Sequence, residues 1–390
     1  YVVAEALRCG HQVRAMVRSR SAFERKRSRL VWGQNSSLGA CVDGLDGEER
    51  RKDDNSDAAE SVIANVDIAE VDLRTGDGLA EALENIDAVI HLAAAKSGDR
   101  ATQFADTVTA TQTLLSEMER AGVNRLIAIS SFSVYDYLHQ PDGSLLDEQA
   151  SLEHRPDGRD VYTQAKLQQE QLVRQFQTCS HAAVTVLRPG IIYGSGALWP
   201  CHLGVTLGDK LCLQVGGTAR LPLTYVENCA EAIIKALVSE RVVGRMINVV
   251  DDDRPTQQDF VRCLQQLQAD AIASSTRVPA TVTVPWKLMR YLARGAWMCD
   301  RLLGGRLPLP GLLVPARLHA RFKPLDYSNY GAKSLLNWTP RYPLREALSR
   351  SVLDLNRHQL PDRQSAFNPV PEAGVTAASS APESVSLRAT

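Results

Sequence analysis

The sequence predicts an α/β protein with a doubly wound parallel sheet and a smaller unit in its C-terminal half. Three observations indicate this fold. Strand-like and helix-like segments alternate through residues 1–195, which is the pattern of parallel α/β sheets. Residues 87–95, DAVIHLAAA, form a continuous apolar run, as in strands that are buried on both faces. Small or polar residues follow the predicted strands, at the end of the sheet where such folds bind ligands.

The predicted elements begin with a helix at 1–10, whose apolar residues share one face and which Gly10 can end. Alternating apolar residues in HQVRAMVR predict a strand. The segments that follow are a strand at 64–73, a helix at 78–86, the strand at 87–95, a helix at 101–121, a strand at 125–130, a helix at 161–178 and a strand at 183–189. A helix within 220–237 and a strand within 244–252 then return to the sheet.

The composition excludes several classes of protein. The 390 residues carry a formal net charge of −1, so they lack the basic balance of a nucleic-acid-binding protein. No apolar segment reaches the roughly 18 residues that a transmembrane helix needs. The eight cysteines and eight histidines are dispersed along the chain. Their spacing predicts no metal site. It also predicts that the cysteines are reduced thiols in a cytoplasmic protein.

Two short motifs carry candidate catalytic residues. Tyr162 and Lys166 in DVYTQAK are four residues apart on a predicted helix and therefore share one face. An ammonium group near a phenol lowers the phenol's pKa, which enables proton exchange with a hydroxyl or carbonyl group. Ser131 in ISSFSVYDY follows a predicted strand, where its hydroxyl can hydrogen-bond a carbonyl oxygen. Taken singly, a solvated helix face and a serine-rich turn are the better explanations of the two motifs.

The order of the motifs is more specific than any one of them. Asp72 and Leu73 follow one strand, HLAAA the next and SS the third, and then come YxxxK on a helix and LRPGIIYGSG. With this order the chain, over about residues 1–345, resembles the extended short-chain dehydrogenase/reductase family, the NAD(P)-dependent epimerases and dehydratases with a Rossmann-like fold. The resemblance implies that Tyr162 is the catalytic acid/base and that Lys166 lowers its pKa and holds the nicotinamide ribose. It also implies that Ser131 orients the reacting oxygen, with Ser130 and Ser133 as less favoured choices.

Six further residues match the family's cofactor contacts. In the family, residues at the end of the strand that corresponds to 64–73 contact the adenine, and small residues at the end of the strand at 87–95 let the dinucleotide approach. The loop at the end of the strand at 183–189 lines the nicotinamide pocket. In this sequence these residues are Asp72 and Leu73, Ala93 and Ala94, and Pro189 and Gly190.

The predicted cofactor is NADP rather than NAD. In NAD-specific relatives an acidic residue ends the second strand and binds the ribose 2′-hydroxyl. Here MVRSR places Arg18 and Arg20 at that position, and a guanidinium group can bind a 2′-phosphate. The alternative interpretation is that the two arginines only begin a polar loop.

The resemblance implies a dinucleotide-binding domain over residues 1–196, rejoined at about 220–252, and a substrate-binding unit over most of 197–356. The polar segment 34–60 is interpreted as an inserted loop, and 357–390 as a disordered tail. Two features depart from the family pattern. The strand and GxxGxxG turn that receive the pyrophosphate would precede Tyr1, which is expected of a truncated sequence or of a chain without a phosphate site. Thr107 stands where relatives carry an asparagine.

The leading functional prediction is an NAD(P)-dependent oxidoreductase or epimerase/dehydratase that acts on a hydroxyl or keto group of a small, nucleotide-sugar-like substrate. A 3β-hydroxysteroid- or flavonol-type alcohol dehydrogenase/reductase is the alternative within the same chemistry. A non-catalytic nucleotide-sensing or scaffold relative is the alternative from another class. The resemblance also implies a homodimer. Residues 284–303 are basic and amphipathic and can rest on a membrane surface, although a place in the core or over a pocket is favoured.

Overall fold

The computed structural model describes residues 1–27, 66–207, 210–217, 219–270 and 278–357. The predicted loop at 34–60 and residues 358–390 of the predicted tail lie outside this part of the chain. The strands are β1 (Arg14–Val17), β2 (Asp67–Glu70), β3 (Ala88–His91), β4 (Arg125–Ile129), β5 (Leu145–Leu146), β6 (Ala183–Pro189), β7 (Ile191–Tyr193), β8 (Val205–Leu207), β9 (Leu211–Val215), β10 (Leu223–Tyr225), β11 (Met246–Val249), β12 (Ala280–Val284) and β13 (Asp326–Tyr327). The helices are α1 (Val2–Arg8), α2 (Arg20–Arg27), α3 (Leu79–Ala82), α4 (Arg100–Phe104), α5 (Ala110–Ala121), α6 (Val161–Ser180), α7 (Val226–Val238), α8 (Gln257–Ala269), α9 (Trp286–Leu302), α10 (Pro315–Phe322), α11 (Tyr330–Leu336) and α12 (Leu344–Arg357).

The central sheet has four parallel strands in the order β11-β6-β4-β3, and β1 and β2 form a separate parallel pair. On β4, Leu126 and Ala128 pack into one apolar cluster with α3, α5 and α6, while Ile127 and Ile129 pack into another with α7 and α11. Because successive side chains of a strand point to opposite faces, the two clusters cover the two faces of the sheet. The predicted doubly wound α/β class is therefore confirmed.

Helix α6 is positioned by its N-terminal cap and by its buried face. The Asp160 carboxylate accepts the Thr163 backbone N–H at 2.9 Å, which satisfies one of the free donors at the start of the helix. From there α6 runs for 20 residues. Its buried residues recur at helical spacing and include polar ones: Thr163, Ala165, Lys166, Gln169, Glu170, Val173 and Phe176. The polar members need partners inside the protein, because burial removes their contacts with water.

A buried ion pair attaches α6 to the sheet. Glu170 of α6 and Arg188 of β6 form a bidentate salt bridge in which each side chain is 2% exposed. Glu170 also accepts a hydrogen bond from Ser130 Oγ at 2.7 Å, and Arg188 donates to the Tyr135 hydroxyl at 3.1 Å. Tyr135 in turn donates to Asn248 Oδ1 at 2.6 Å. These contacts connect α6, β6, β11 and the segment that follows β4.

The residues beyond 196 build smaller elements beside the central sheet. β12, β9 and β8 form a three-stranded sheet, and α9 packs on α10 through an apolar cluster of Trp286, Met289, Ala293, Leu318 and Phe322. β11, by contrast, joins the central sheet next to β6. The division into two units at residue 196 stays a prediction. None of the helices in the described residues combines the length and the apolar character needed to span a bilayer.

We predict that Glu170→Ala lowers the free energy of unfolding by about 3–5 kcal/mol, because it leaves the Arg188 guanidinium buried without its carboxylate. The matched control is Glu117→Ala, which removes a salt bridge to Arg120, a side chain that is 74% exposed, and should cost less than about 1 kcal/mol. Urea denaturation followed by fluorescence measures both. Equal decreases in the free energy of unfolding of the two variants would contradict a larger contribution of the buried pair to stability.

The same pair sets a pH dependence. Burial alone would raise the pKa of Glu170, but hydrogen bonds and charge from Arg188, with Ser130 and Arg174, bring it below the ordinary value. The stabilisation is therefore fully present above the unfolded-state pKa of about 4.3 and is lost as the pH falls through the lower folded-state pKa.

Candidate active site

The three predicted catalytic residues lie together at the carboxyl end of β4. Ser131 caps the 3₁₀ helix Phe132–Val134, where its Oγ accepts the Ser133 N–H at 3.1 Å. Tyr162 and Lys166 lie in the first two turns of α6, and Nζ of Lys166 is 6.0 Å from the ring centroid of Tyr162. Their catalytic roles stay predictions, but their proximity is a property of the fold.

Burial shifts both titratable groups of the site toward their neutral forms. It raises the pKa of Tyr162 to about 12, and a side-chain hydrogen bond with Ser131 opposes this rise. Burial, together with the charge of Lys96, lowers the pKa of Lys166 to about 7, while Glu170 opposes this fall. The lysine can lower the tyrosine pKa only while it is charged. Any effect of Lys166 on the pKa of Tyr162 therefore depends on the interactions that keep Lys166 protonated.

Gln169 is a site residue that the sequence did not reveal. Nζ of Lys166 donates to the Ile129 carbonyl oxygen at 2.7 Å and to Gln169 Oε1 at 2.9 Å. The amide nitrogen of Gln169 donates to Thr111 Oγ1 at 2.8 Å and to the Ala93 carbonyl oxygen at 3.2 Å. Gln169 thus ties the lysine to the segment that follows β3.

His91 completes this buried network as a neutral imidazole. Its Nε2 lies 2.8 Å from Thr111 Oγ1 and 3.1 Å from Gln169 Nε2, and the residue is 3% exposed. Burial lowers the pKa of His91 to about 3, and the charge of Lys166 acts in the same direction. The imidazole therefore serves as a hydrogen-bonding partner and does not carry charge at neutral pH.

Thr107 has a backbone partner. It lies in a short π-helix, Ala105–Thr109, is fully buried, and its Oγ1 accepts the Ala95 N–H at 3.0 Å. The hydroxyl thereby fixes the segment that contains Ala93 and Ala94, both of which are partly exposed. Thr107 therefore supplies a hydrogen-bonding group at the position where the resemblance leads us to expect an asparagine.

Asp72 and Arg18 belong to an ionic group at the ends of β1 and β2. Arg74 contacts Asp72 through three side-chain hydrogen bonds of 2.7, 3.0 and 3.3 Å. Hydrogen bonds from the Arg74 side chain and backbone lower the pKa of Asp72 to about 2. Arg18, 65% exposed, lies 3.3 Å from Asp106, and Arg74 lies 3.7 Å from the same carboxylate. Sequence analysis found Arg18 and Asp72 but missed Arg74 and Asp106.

Arg20, the second arginine of MVRSR, is hydrogen-bonded to the neighbouring strand β2. Its guanidinium group donates to the Ile68 carbonyl oxygen at 2.6 Å, and its backbone N–H donates to Glu70 at 2.8 Å. Arg18 is therefore the better placed of the two for contact with a ligand.

The remaining predicted cofactor residues have structural contacts of their own. Leu73 packs against the cluster under α3, α5 and α6, and Pro189 pairs with Val249 of β11. A Cβ added to Gly190 would lie 2.1 Å from the Pro222 carbonyl oxygen, so close backbone packing by itself requires a glycine there.

A group of possible metal ligands lies outside this site. Asp136, His139 and His154 bring one ligand atom each to within 4.8 Å of one another. The sequence predicted no metal site, because these residues are not spaced as a recognisable motif. The buried Asp136 carboxylate lies 2.7 Å from His139 Nδ1 and 3.4 Å from His154 Nδ1. Contacts with the two imidazoles therefore account for the grouping without an ion.

Comparison with known proteins identifies the class. The sequence model of the NAD dependent epimerase/dehydratase family matches residues 1–249. The chain belongs to this family, which confirms the resemblance drawn from its motifs. The chain is 25% identical to 3β-hydroxysteroid-dehydrogenase/decarboxylase isoform 1 of Arabidopsis thaliana over 74% of its own length and 66% of the relative's. It is 28% identical to N-acetyl-α-D-glucosaminyl-diphospho-ditrans,octacis-undecaprenol 4-epimerase of Escherichia coli O157:H7 over 50% of its length and 59% of the relative's. The matched regions thus span less than two thirds of either relative.

A third relative and two solved structures extend the comparison. A 3β-hydroxysteroid dehydrogenase/Δ5→4-isomerase of Mycobacterium tuberculosis is 27% identical over 74% of this chain and 78% of its own. UDP-glucuronic acid 4-epimerase from Bacillus cereus, in complex with NAD, superposes with a TM-score of 0.56 at 18% identity, over 78% of this chain and 87% of that one. MoeE5, in complex with UDP-glucuronic acid and NAD, superposes with a TM-score of 0.58 at 20% identity, over 91% and 94%. At these identities the two structures establish the fold alone.

The residues predicted to contact the adenine and the nicotinamide are compatible with bound NAD(P). Asp72 keeps part of its side chain exposed and can accept a hydrogen bond from an amine. The partly exposed Ala93 and Ala94 leave room beside the backbone. Lys166 uses its N–H groups for two protein acceptors, so one of the three donors of an ammonium group is left for a ribose hydroxyl.

We expect Lys166 to titrate near pH 7 in the cofactor-free protein, well below an ordinary lysine. NMR of the ¹³C-dimethylated protein can resolve this titration, because the chain has only nine lysines, and Lys166→Arg assigns the resonance. Gln169→Glu should raise the pKa of Lys166, since it places a carboxylate beside the ammonium group. Gln168→Glu, on the exposed side of the same helix, is the control and should leave it unchanged. Titration of Lys166 near pH 10 in the unaltered protein would contradict this description of the site.

Proposed function

We propose that the protein is an NAD(P)-dependent oxidoreductase or epimerase that acts on a secondary hydroxyl or keto group through Ser131, Tyr162 and Lys166. The observation that carries the proposal is the convergence of these three side chains beyond the carboxyl end of β4, where parallel α/β sheets bind their ligands. Family membership supports the cofactor class.

In the proposed mechanism each residue has one task. Tyr162 exchanges a proton with the substrate oxygen. Ser131 donates a hydrogen bond to that oxygen and so stabilises charge that develops on it. Lys166, when charged, favours the phenolate of Tyr162 and binds a ribose hydroxyl. Bound NAD(P) supplies the hydride donor or acceptor.

We propose a hydroxyl on a sterol-like ring as the first substrate class. Two relatives that each match 74% of this chain are named for action on 3β-hydroxysteroids. A sugar hydroxyl of a nucleotide-sugar or a diphosphate-linked sugar is the second class. It is supported by the name of the relative from Escherichia coli. Both classes require hydride transfer at a secondary carbon and proton transfer at its oxygen, so the three proposed catalytic residues serve either one.

Replacement of the catalytic residues should separate chemistry from binding. Tyr162→Phe removes the proton donor and should lower kcat by at least about a thousandfold, while the dissociation constant for NAD(P)H stays nearly unchanged. Ser131→Ala should lower kcat by about 100- to 1,000-fold. The control is Tyr330→Phe, which changes a tyrosine that is 75% exposed. Turnover of a 3β-hydroxysteroid is followed by NAD(P)H absorbance. Turnover of a UDP-sugar is followed by chromatographic separation of the epimers, because epimerisation leaves no net NAD(P)H. Full activity of Tyr162→Phe would refute the catalytic assignment, and cofactor binding without turnover of any alcohol would support the non-catalytic alternative.

We propose NADP as the preferred cofactor because Arg18 directly follows β1 and is largely exposed. A guanidinium–phosphate contact contributes roughly 1.5–3 kcal/mol, so Arg18→Ala should weaken NADPH binding about 10- to 100-fold and leave NADH binding unchanged. Titrations with both nucleotides, with Arg120→Ala as an exposed control, measure the effect. Equal affinity of the unaltered protein for NADPH and NADH would refute the preference.

A further inference from the structure

Helix α9 presents apolar residues on two opposite faces. One face is buried: Trp286, Met289 and Ala293 pack against Leu318 and Phe322. This face attaches the helix to the rest of the protein and accounts for only part of its apolar residues.

The opposite face exposes large apolar side chains to solvent. Leu288, Leu292 and Leu302 are 51%, 52% and 84% exposed. Their spacing of four and ten residues places them on one side of the helix. Tyr291 and Met298 flank the leucines on the helix, and Leu303 and Leu307 follow its C-terminal end, all with exposed side chains. Several large apolar side chains exposed together in this way mark an interaction site.

A basic edge accompanies the exposed leucines. Lys287, Arg294, Arg301 and Arg306 are exposed, whereas Arg290 is engaged by Asp142 at 3.1 Å. Residues 285–307 contain five Lys or Arg and one acidic residue, in a chain whose net charge is −1. The positive charge is therefore concentrated where the apolar side chains are exposed.

We infer that this face of α9, with the segment up to Leu307, docks on the surface of an anionic lipid bilayer. The helix would lie in the plane of the membrane, with its leucines between the acyl chains and its arginines at the headgroups. Each Lys or Arg near an anionic membrane contributes about 1 kcal/mol of attraction.

Two other roles for this surface, a lid over a pocket and a dimer interface, fit the observations less well. A pocket lid would have to turn its apolar side chains toward the body of the protein, but the exposed leucines face away from the buried side of α9. In a symmetric dimer the same patch meets itself, so the basic edges of two copies would be brought together and would repel.

Co-sedimentation with lipid vesicles tests the inference. The full chain should bind vesicles of phosphatidylcholine with phosphatidylserine, bind phosphatidylcholine alone much more weakly, and lose binding at high salt. The triple variant Leu288→Ser, Leu292→Ser, Leu302→Ser should bind at least about tenfold more weakly. The matched control carries serine at three exposed apolar positions elsewhere, Leu145, Val238 and Leu353, and should bind like the unaltered protein. Circular dichroism confirms that both variants are folded.

Variants that remove positive charge provide a second test of the inference. Arg294→Gln with Arg301→Gln should weaken binding to the anionic vesicles by roughly 30-fold, while Arg120→Gln with Arg262→Gln should not. Binding that is equal for both vesicle types, or unchanged in the leucine variant, would overturn the inference. So would dissociation of a dimer by the leucine variant, seen in ultracentrifugation, without any vesicle binding. These measurements involve no turnover, so their outcome is independent of the proposed oxidoreductase function.

Discussion

The buried salt bridge between Glu170 and Arg188 is the interaction on which the site depends. Glu170 lies one turn after Lys166 on α6, Arg188 directly precedes Pro189 on β6, and Ser130, which donates to Glu170, directly precedes Ser131. One ion pair therefore fixes the three chain segments that carry the proposed catalytic and nicotinamide-side residues. Such a pair is costly to bury unless its hydrogen bonds are complete. Here Ser130 and Arg174 on one side and Tyr135 on the other complete them.

A second buried network of hydrogen bonds positions the side of the site that faces β3. Gln169 joins Lys166 to Thr111 and to the Ala93 carbonyl oxygen, and Thr107 holds the next turn of that segment through Ala95. The two networks meet on adjacent residues of α6, so the position of Lys166 is defined from both β3 and β6. Polar networks of this kind give a defined geometry because each member has a partner and alternative rotamers would leave buried groups unsatisfied.

The sequence predicted those features that depend on local pattern. The alternation of strands and helices along the chain and the shared face of Tyr162 and Lys166 follow from periodicity and spacing, and the structure has them. The predicted strands at 64–73 and 87–95 are shorter in the structure, where they end at Glu70 and His91. The roles of Gln169, His91 and Thr111 could not be predicted, because they arise from side chains that are distant in sequence and ordinary in type. The packing of Gly190 against Pro222 is hidden for the same reason. In α9 the amphipathic pattern was visible, but apolar residues occur on two faces, and only tertiary contacts determine which face is buried.

The electrostatics of the site make its two titratable residues interdependent. Burial places the pKa of Tyr162 at about 12 and that of Lys166 at about 7, so near neutral pH the phenol keeps its proton and the lysine is only partly charged. A charged Lys166 favours the phenolate of Tyr162, because opposite charges at this separation stabilise each other. Glu170 already favours the charged form of Lys166 from one turn away, and a hydrogen-bond acceptor of a bound ligand beside Lys166 would add to this effect. In the proposed mechanism, proton exchange by Tyr162 is therefore coupled to the charge on Lys166.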